Sequence, residues 1–293
     1  MAGFASTALG LDMNAESYEF QKSSESVSVL IPVLNGERFL SSALESVLIQ
    51  SKVTEIVVVD NGSSDNTLRI IDRYARLDSR VKVYKCHKLG ISNALNLGLS
   101  VANGKFIARL DADDLMAPNR IESQMNFLRN NPEILLLASQ IRYIDEEGVN
   151  LGVSKYPSGK LSLLKHFVFR NPIAHPSVVF QKEAALLAGG YNPEYEGAED
   201  LDLWIRMGSL GDIFVSSEIL TLYRIHQEQV SLKNDNYRSE FKLRLNYFLG
   251  RTSSKRHGWA FSSMQLLRLV DLASTRVTLL AKARNIIKRI YLK

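Results

Sequence analysis

One cysteine, Cys86, stands in 293 residues, so no disulfide can form within the chain and no Cys-rich zinc site can be built. That scarcity fits a reducing compartment. No stretch approaches the roughly 20 apolar residues that a membrane-spanning helix needs. The first residues lack a basic n-region and carry acids among their apolar residues, so 1–24 reads as a flexible leader and not as a signal peptide. The expected location is therefore cytoplasmic. Two glycine signatures are missing as well. A dinucleotide-binding loop needs G-x-G-x-x-G after its first strand, and here the loop is Pro32-Val33-Leu34-Asn35-Gly36. A P-loop needs four residues between its glycines and a Ser or Thr after its Lys. Gly98 and Gly104 have five residues between them, and Phe106 follows Lys105.

What is present is ordinary globular composition, 45% hydrophobic and 23% charged, enough for one large domain with an appendage. The net charge of +5 is unevenly spread. Residues 251–293 hold ten Lys or Arg and one acid, Asp271, so this tail is +9 and the rest is −4. An anionic partner would be drawn to the tail. No recognition helix, zinc finger or RNA-binding motif accompanies the charge, which disfavours nucleic acid and leaves an anionic membrane surface. In the tail Leu266, Val270, Ala273, Val277, Leu280, Ile287 and Tyr291 recur at helical spacing, with Arg268, Arg276, Lys282, Lys288 and Arg289 elsewhere around the helix. Such a helix can lie among lipid headgroups or pack on the rest of the protein, and the spacing allows both.

From Val27 onward, short apolar runs alternate with amphipathic segments. Strands are predicted at 27–31 (ended by Pro32), 55–60, 81–85, 106–110 and 134–138. Helices are predicted at 39–50, 67–76, 91–100 and 119–130. Strands that are apolar throughout and alternate with helices predict a mostly parallel central sheet covered on both faces, with ligands beyond its carboxyl edge. Past Ser139 the rhythm changes to short strands at 177–180 and 213–215 and a helix from Asp200 to Met207. This half is expected to complete the same sheet. Residues 239–293 read as a basic helical appendage.

Acids gather at the predicted strand ends: Asp60 after the second, and Asp111, Asp113 and Asp114 after the fourth. Such a cluster is costly unless a cation or hydrogen-bond donors compensate it. Oxygen ligands at this density suit Mg²⁺ or Mn²⁺, which bind through one or two carboxylates and a substrate's phosphates. Taken singly, Asp60 also fits an Asx turn opening Asn61-Gly62, and Asp113 or Asp114 an N-cap to the next helix.

At these residues the sequence resembles the large inverting glycosyltransferase family 2, with the GT-A fold. The matching blocks run in order: 27–37 (V-S-V-L-I-P-V-L-N-G-E), 55–67 (E-I-V-V-V-D-N-G-S-S-D-N-T), 90–98 (G-I-S-N-A-L-N-L-G), 104–114 (G-K-F-I-A-R-L-D-A-D-D) and 118–122 (P-N-R-I-E). Glu199-Asp200 resembles the family's acidic pair, and Tyr223-Arg-Ile-His226 its late histidine. The resemblance implies a catalytic domain at 25–238, with a nucleotide-binding half (25–138) and an acceptor half (139–238). It implies that Pro32, Val33 and Asn35 line the base, with Glu37 nearby, and that Asp60 accepts from uracil or ribose. Gly90, Asn93 and Ala112 would complete the nucleotide-sugar site, and Asp111 would face ribose and sugar. Asp113 would hold the metal and His226 would help hold it or the diphosphate. Asp200 would be the catalytic base, with Glu199 beside it as the substitute. Many members carry Tyr where this chain has Leu34.

The implied reaction moves a sugar from a UDP-sugar to a hydroxyl of a glycan or lipid-linked acceptor, with inversion. Its chemistry suits the residues. A divalent ion offsets charge on a departing diphosphate, and a carboxylate opposite the leaving group takes the acceptor's proton. The same Asp200 also fits an N-cap of its helix, His226 a core or surface residue, and Trp204 a core residue. A non-catalytic nucleotide-sugar-binding module is the other class, and it would be expected to lose Asp113 or Asp200. A glycoside hydrolase also uses two carboxylates but needs no acids at the edge of a nucleotide-binding sheet.

Overall fold

A computed structural model describes residues 25–162, 166–167, 171–229 and 236–248 of this chain. The leader expected at 1–24 and the basic tail at 251–293, with its expected membrane contact, lie outside the described residues. The chain divides into two compact units, 1–243 and 244–293, and the first holds the whole sheet. Of the second, the described residues are the end of the helix Asn236–Phe248. Among the described residues no helix is long and apolar enough to cross a membrane.

The first half alternates strand and helix: β1 (Val27–Val33), α1 (Leu40–Leu48), β2 (Val53–Asp60), α2 (Thr67–Leu77), β3 (Val81–Lys85), α3 (Ile91–Val101) and β4 (Phe106–Arg109). The second half contains β5 (Leu115–Met116), α4 (Arg120–Asn130), β6 (Ile134–Ile144), β7 (Asn150–Val153), β8 (Gly159–Lys160), β9 (Val179–Gln181), α5 (Lys182–Leu187), α6 (Glu199–Met207), β10 (Asp212–Arg224) and α7 (Asn236–Phe248). One ten-stranded sheet results, in the order β3-β2-β1-β4-β9-β6-β10-β5, with β7 on β6 and β8 on β10. The strands β3, β2, β1 and β4 are parallel, as predicted. Beyond them the sheet is mixed, because β9 runs antiparallel between β4 and β6 while β10 returns parallel to β6.

Every residue of β1 is buried, as expected of a central strand covered on both faces. Pro32 does not end it: the strand runs through to Val33. Leu110 donates to Leu30 on the β4 side, and Asn61 donates to Val33 on the β2 side. Pro32 therefore faces the β4 side, where pairing has stopped at Leu30, and its missing N–H costs no ladder bond. Two glycines allow close approaches. A Cβ on Gly98 would sit 2.1 Å from the Leu30 Cδ1 atom, so its absence lets α3 lie on β1. A Cβ on Gly104 would sit 2.4 Å from the backbone nitrogen of Ser28. The glycines weighed above as a P-loop are packing glycines.

The register brings the acids to one edge. β1 and β2 end level, Val33 against Asp60, and β4 stops beside Leu30, so Asp111 emerges next to that end. β10 reaches the same edge by its parallel pairing with β6, Arg224 lying against Ile144.

Candidate functional site

The loops after β1 and β2 are laced together. Asn35 is held in the left-handed region (φ 53°). Its amide oxygen accepts from the Ser64 N–H at 2.8 Å, and its own N–H donates to Ser63 Oγ at 2.9 Å. Glu37 accepts from the Asn66 N–H at 2.9 Å. Asp60 is buried and accepts from the N–H groups of Gly62 and Ser63, both at 3.2 Å, so its turn role is present. Pro32 and Val33 are buried, whereas Asn35 and Glu37 are exposed and Leu34 is 55% exposed. A third loop joins through Asn61, which reads from the sequence only as a turn residue. Asn61 accepts from the Gly90 N–H at 2.9 Å and donates to the Lys88 carbonyl at 2.9 Å. Gly90 has φ 112° at the start of α3, and Asn93 donates to the Leu89 carbonyl at 2.7 Å.

The acidic cluster follows β4. Ligand oxygens of Asp111, Asp113 and Asp114 all lie within 4.8 Å of one another. Ala112, between the first two, is half-buried. Neither Asp113 nor Asp114 caps the next helix, since α4 has Asn119 at that position. His226 Nε2 lies 2.8 Å from Asp113 Oδ2, so the two residues expected at a metal are neighbours. Asp114 is fully buried; one oxygen accepts from the Arg224 N–H at 2.8 Å, and the other has no hydrogen-bond partner among the described residues. Burial, then the charges of Asp113 and Asp111, push its carboxyl well above the usual range. Burial also raises Asp111, against the ion pair it makes with Arg109. A close set of carboxylates with an orphaned buried oxygen and one imidazole fits a hard divalent cation, Mg²⁺ or Mn²⁺.

Three arginines hold this arrangement. Arg224 donates from Nε to the Asp113 carbonyl at 2.9 Å, and from its guanidinium to the carbonyls of Asp145 and Glu146 at 3.1 and 2.8 Å. It also lies over the Phe39 ring at 4.7 Å, and that ring stands 4.9 Å from the His226 ring. Arg120 is buried and donates to the carbonyls of Pro176, Arg109 and Val178. Arg109, 1% exposed, contacts Asp111, and its charge acts on Asp114, His175, Tyr191 and Asp200 as well. It is the electrostatic centre between the two acidic groups. An arginine inside the apolar run F-I-A-R-L was the available signal.

The second acidic group opens α6. The helix begins at Glu199 with Ala198 as N-cap, so Asp200 is not a cap, contrary to that alternative. Asp200 accepts from the Leu201 N–H at 2.7 Å and from the Asn171 side-chain amide at 2.7 Å. Burial, with Glu240 adding to it, pushes its carboxyl up to about 6. Glu199 is buried, accepts from the Gly197 N–H at 2.6 Å, and is raised by burial and by Asp200. Trp204 is fully buried against the rings of His175, Phe180 and Tyr191, a core residue as read from the sequence.

The sequence profile described as Glycosyl transferase family 2 matches residues 28–185. The O-antigen biosynthesis glycosyltransferase WbnJ of Escherichia coli is 31% identical over 207 residues, 69% of this chain and 80% of that protein. The amylovoran biosynthesis glycosyltransferase AmsE of Erwinia amylovora is 32% identical over 251 residues, 83% of this chain and 94% of that protein. Among solved structures, Staphylococcus aureus TarS 1–349 in complex with UDP-GlcNAc superimposes with a TM-score of 0.62 at 19% identity. That match spans 74% of this chain and 65% of the TarS chain, a likeness of fold.

Proposed function

Since the chain belongs to glycosyl transferase family 2, we propose that it transfers a sugar from UDP to a hydroxyl of a glycan or lipid-linked acceptor, with inversion, in the synthesis of a cell-surface polysaccharide or glycolipid. The observation that carries this reading is the pairing of His226 with Asp113, 2.8 Å apart, inside a cluster of three carboxylates at the carboxyl edge of the sheet. Asp113 and His226 would hold Mg²⁺ or Mn²⁺, with Asp111 and Asp114 close by. A bound ion would supply Lewis-acid compensation of charge on the diphosphate.

The chain's own groups do the rest. The laced loops carrying Asn35, Glu37 and Asp60 bind and orient the nucleoside. Uracil presents an N3–H that a carboxylate such as Asp60 can accept, and cytosine offers no equivalent donor. Asp200 takes the proton of the attacking hydroxyl. An acceptor of this kind is consistent with WbnJ and AmsE, whose names place them in O-antigen and amylovoran biosynthesis. Peripheral contact of 251–293 with an anionic membrane on the cytoplasmic side belongs to the same reading. So does the domain division at 25–238 and 239–293.

Calorimetry with UDP, GDP and CDP in Mn²⁺ tests the nucleotide, and release of UDP with a candidate acceptor tests turnover. Tighter binding of GDP or CDP would overturn the donor assignment. Binding of UDP with no transfer or hydrolysis of any UDP-sugar would favour a non-catalytic module.

A further inference from the structure

Resting on the assignment of Asp200 as the base, we propose that Asn171 is a positioning residue that orients the Asp200 carboxylate toward the acceptor hydroxyl. Asn171 lies 29 residues before Asp200, and no block of the family resemblance includes it. Its amide is fixed from both ends. Oδ1 accepts from the Ile173 N–H at 3.2 Å, which turns Nδ2 toward Asp200 Oδ2 at 2.7 Å. The other carboxylate oxygen accepts from the Leu201 N–H at 2.7 Å. Among the described residues each oxygen therefore has one protein donor and keeps a lone pair for the substrate. Two fixed donors leave the carboxyl plane no freedom to rotate, and alignment of reacting groups carries a large share of a barrier.

The amide also stabilises the ionised form of the carboxylate. Groups facing Asp200 from other elements pull both ways: Glu240 of α7 disfavours its charge and Arg109 of β4 favours it. Glu199 stands beside it on α6, and the Tyr191 hydroxyl shares the same surroundings. A neutral donor at 2.7 Å keeps the group ionised without adding a competing cation at the acceptor side.

The test uses the full-length protein with Asn171→Ala and Asn171→Asp. The Asp variant keeps the shape and the acceptor for Ile173 but replaces the donor with a second carboxyl. Carboxyl ¹³C NMR, with Asp200→Asn to identify the resonance, reads the Asp200 titration directly. The expected result is an upward shift of about one unit in Asn171→Ala and more in Asn171→Asp. The acid limb of kcat for UDP release should move with it, so that the rate at about pH 6 falls roughly five-fold from the titration alone, and the alkaline plateau should fall as well because alignment is lost. An unmoved titration, or an alkaline plateau equal to the parent's, would overturn the positioning role and leave Asn171 a structural residue. If Asp200→Asn keeps its kcat, the base assignment fails whatever Asn171 does. If that variant is dead and the Asn171 variants titrate like the parent, the positioning role alone fails.

Discussion

His226 Nε2 and Asp113 Oδ2 lie 2.8 Å apart although 113 residues of chain separate them. Arg224 makes the meeting possible. Its backbone N–H binds Asp114 Oδ1 and its Nε binds the Asp113 carbonyl, so the end of β10 is fastened to the turn after β4 on both sides of the pair. Phe39, in the loop after β1, packs against both the Arg224 guanidinium at 4.7 Å and the imidazole at 4.9 Å, its ring tilted by 53° to the latter.

This pair gives the first prediction. Asp113→Ala should abolish turnover and the Mn²⁺-dependent part of UDP binding. His226→Ala should weaken Mn²⁺ by at least the about 10- to 100-fold that loss of a ligand's hydrogen-bond partner costs, while leaving metal-free UDP binding intact. Calorimetry with and without EDTA reads both, and full activity in EDTA would remove the metal from the site.

The parallel half of the fold was legible because its strands are apolar throughout and its helices amphipathic, a pattern dense enough to be read locally. The second half was not. The 13 residues of β10 yielded only 213–215, since Ser216, Ser217 and Glu218 interrupt the apolar run where register shifts bend the strand. The short strands β5, β7 and β8, of two to four residues, left no periodicity to detect. At the site, the family resemblance pointed to Asp113 and His226, which the fold brings within 2.8 Å of each other. The groups that hold them escaped notice. Arg120, Arg224 and Asn171 act through long-range contacts, which are not written in sequence spacing, and Arg109 was visible only as a charge inside the apolar run 106–110.

Arg109 carries the second prediction. Its guanidinium is buried beside Asp111, so Arg109→Met leaves carboxylates without their compensating cation. Breaking a fully buried pair costs about 3–5 kcal/mol, and with Asp111 29% exposed the loss here should fall below that range. Arg109→Lys keeps the charge and should recover part of the loss. Urea unfolding of the two variants decides, and equal stability of both with the parent would mean that Arg109 is not an electrostatic centre.

The two packing glycines make a paired prediction. In Gly98→Ala the new methyl meets the Leu30 side chain, which can shift; in Gly104→Ala it meets the Ser28 backbone nitrogen at 2.4 Å and the Phe106 carbonyl oxygen at 2.9 Å, which cannot. Overpacking costs about 1–3 kcal/mol, and the backbone clash should sit at or above the upper end. Thermal unfolding should therefore rank Gly104→Ala below Gly98→Ala, and the reverse order would refute the packing argument.

The last prediction concerns the acceptor side. Asp200 is not the cap of α6, so Asp200→Asn removes no cap and should leave the helix standing. Asn keeps the side chain's size and an acceptor for the Leu201 N–H, but it cannot accept a proton at neutral pH. Loss of general-base assistance costs about 10² to 10⁴ in rate, whereas UDP affinity, which the proposed function assigns to Asp60 and the loops around it, should barely change. The pH profile gives an independent check with a definite sign. A base works only when ionised, and the Asp200 carboxyl is raised to about 6. In the parent enzyme kcat should therefore hold above that value and fall as the pH drops through it, a limb well above that of an ordinary aspartate. In Asp200→Asn the limb should vanish together with the rate. If kcat survives, proton transfer belongs to Glu199, whose buried carboxyl is raised further and would place the limb at a higher pH.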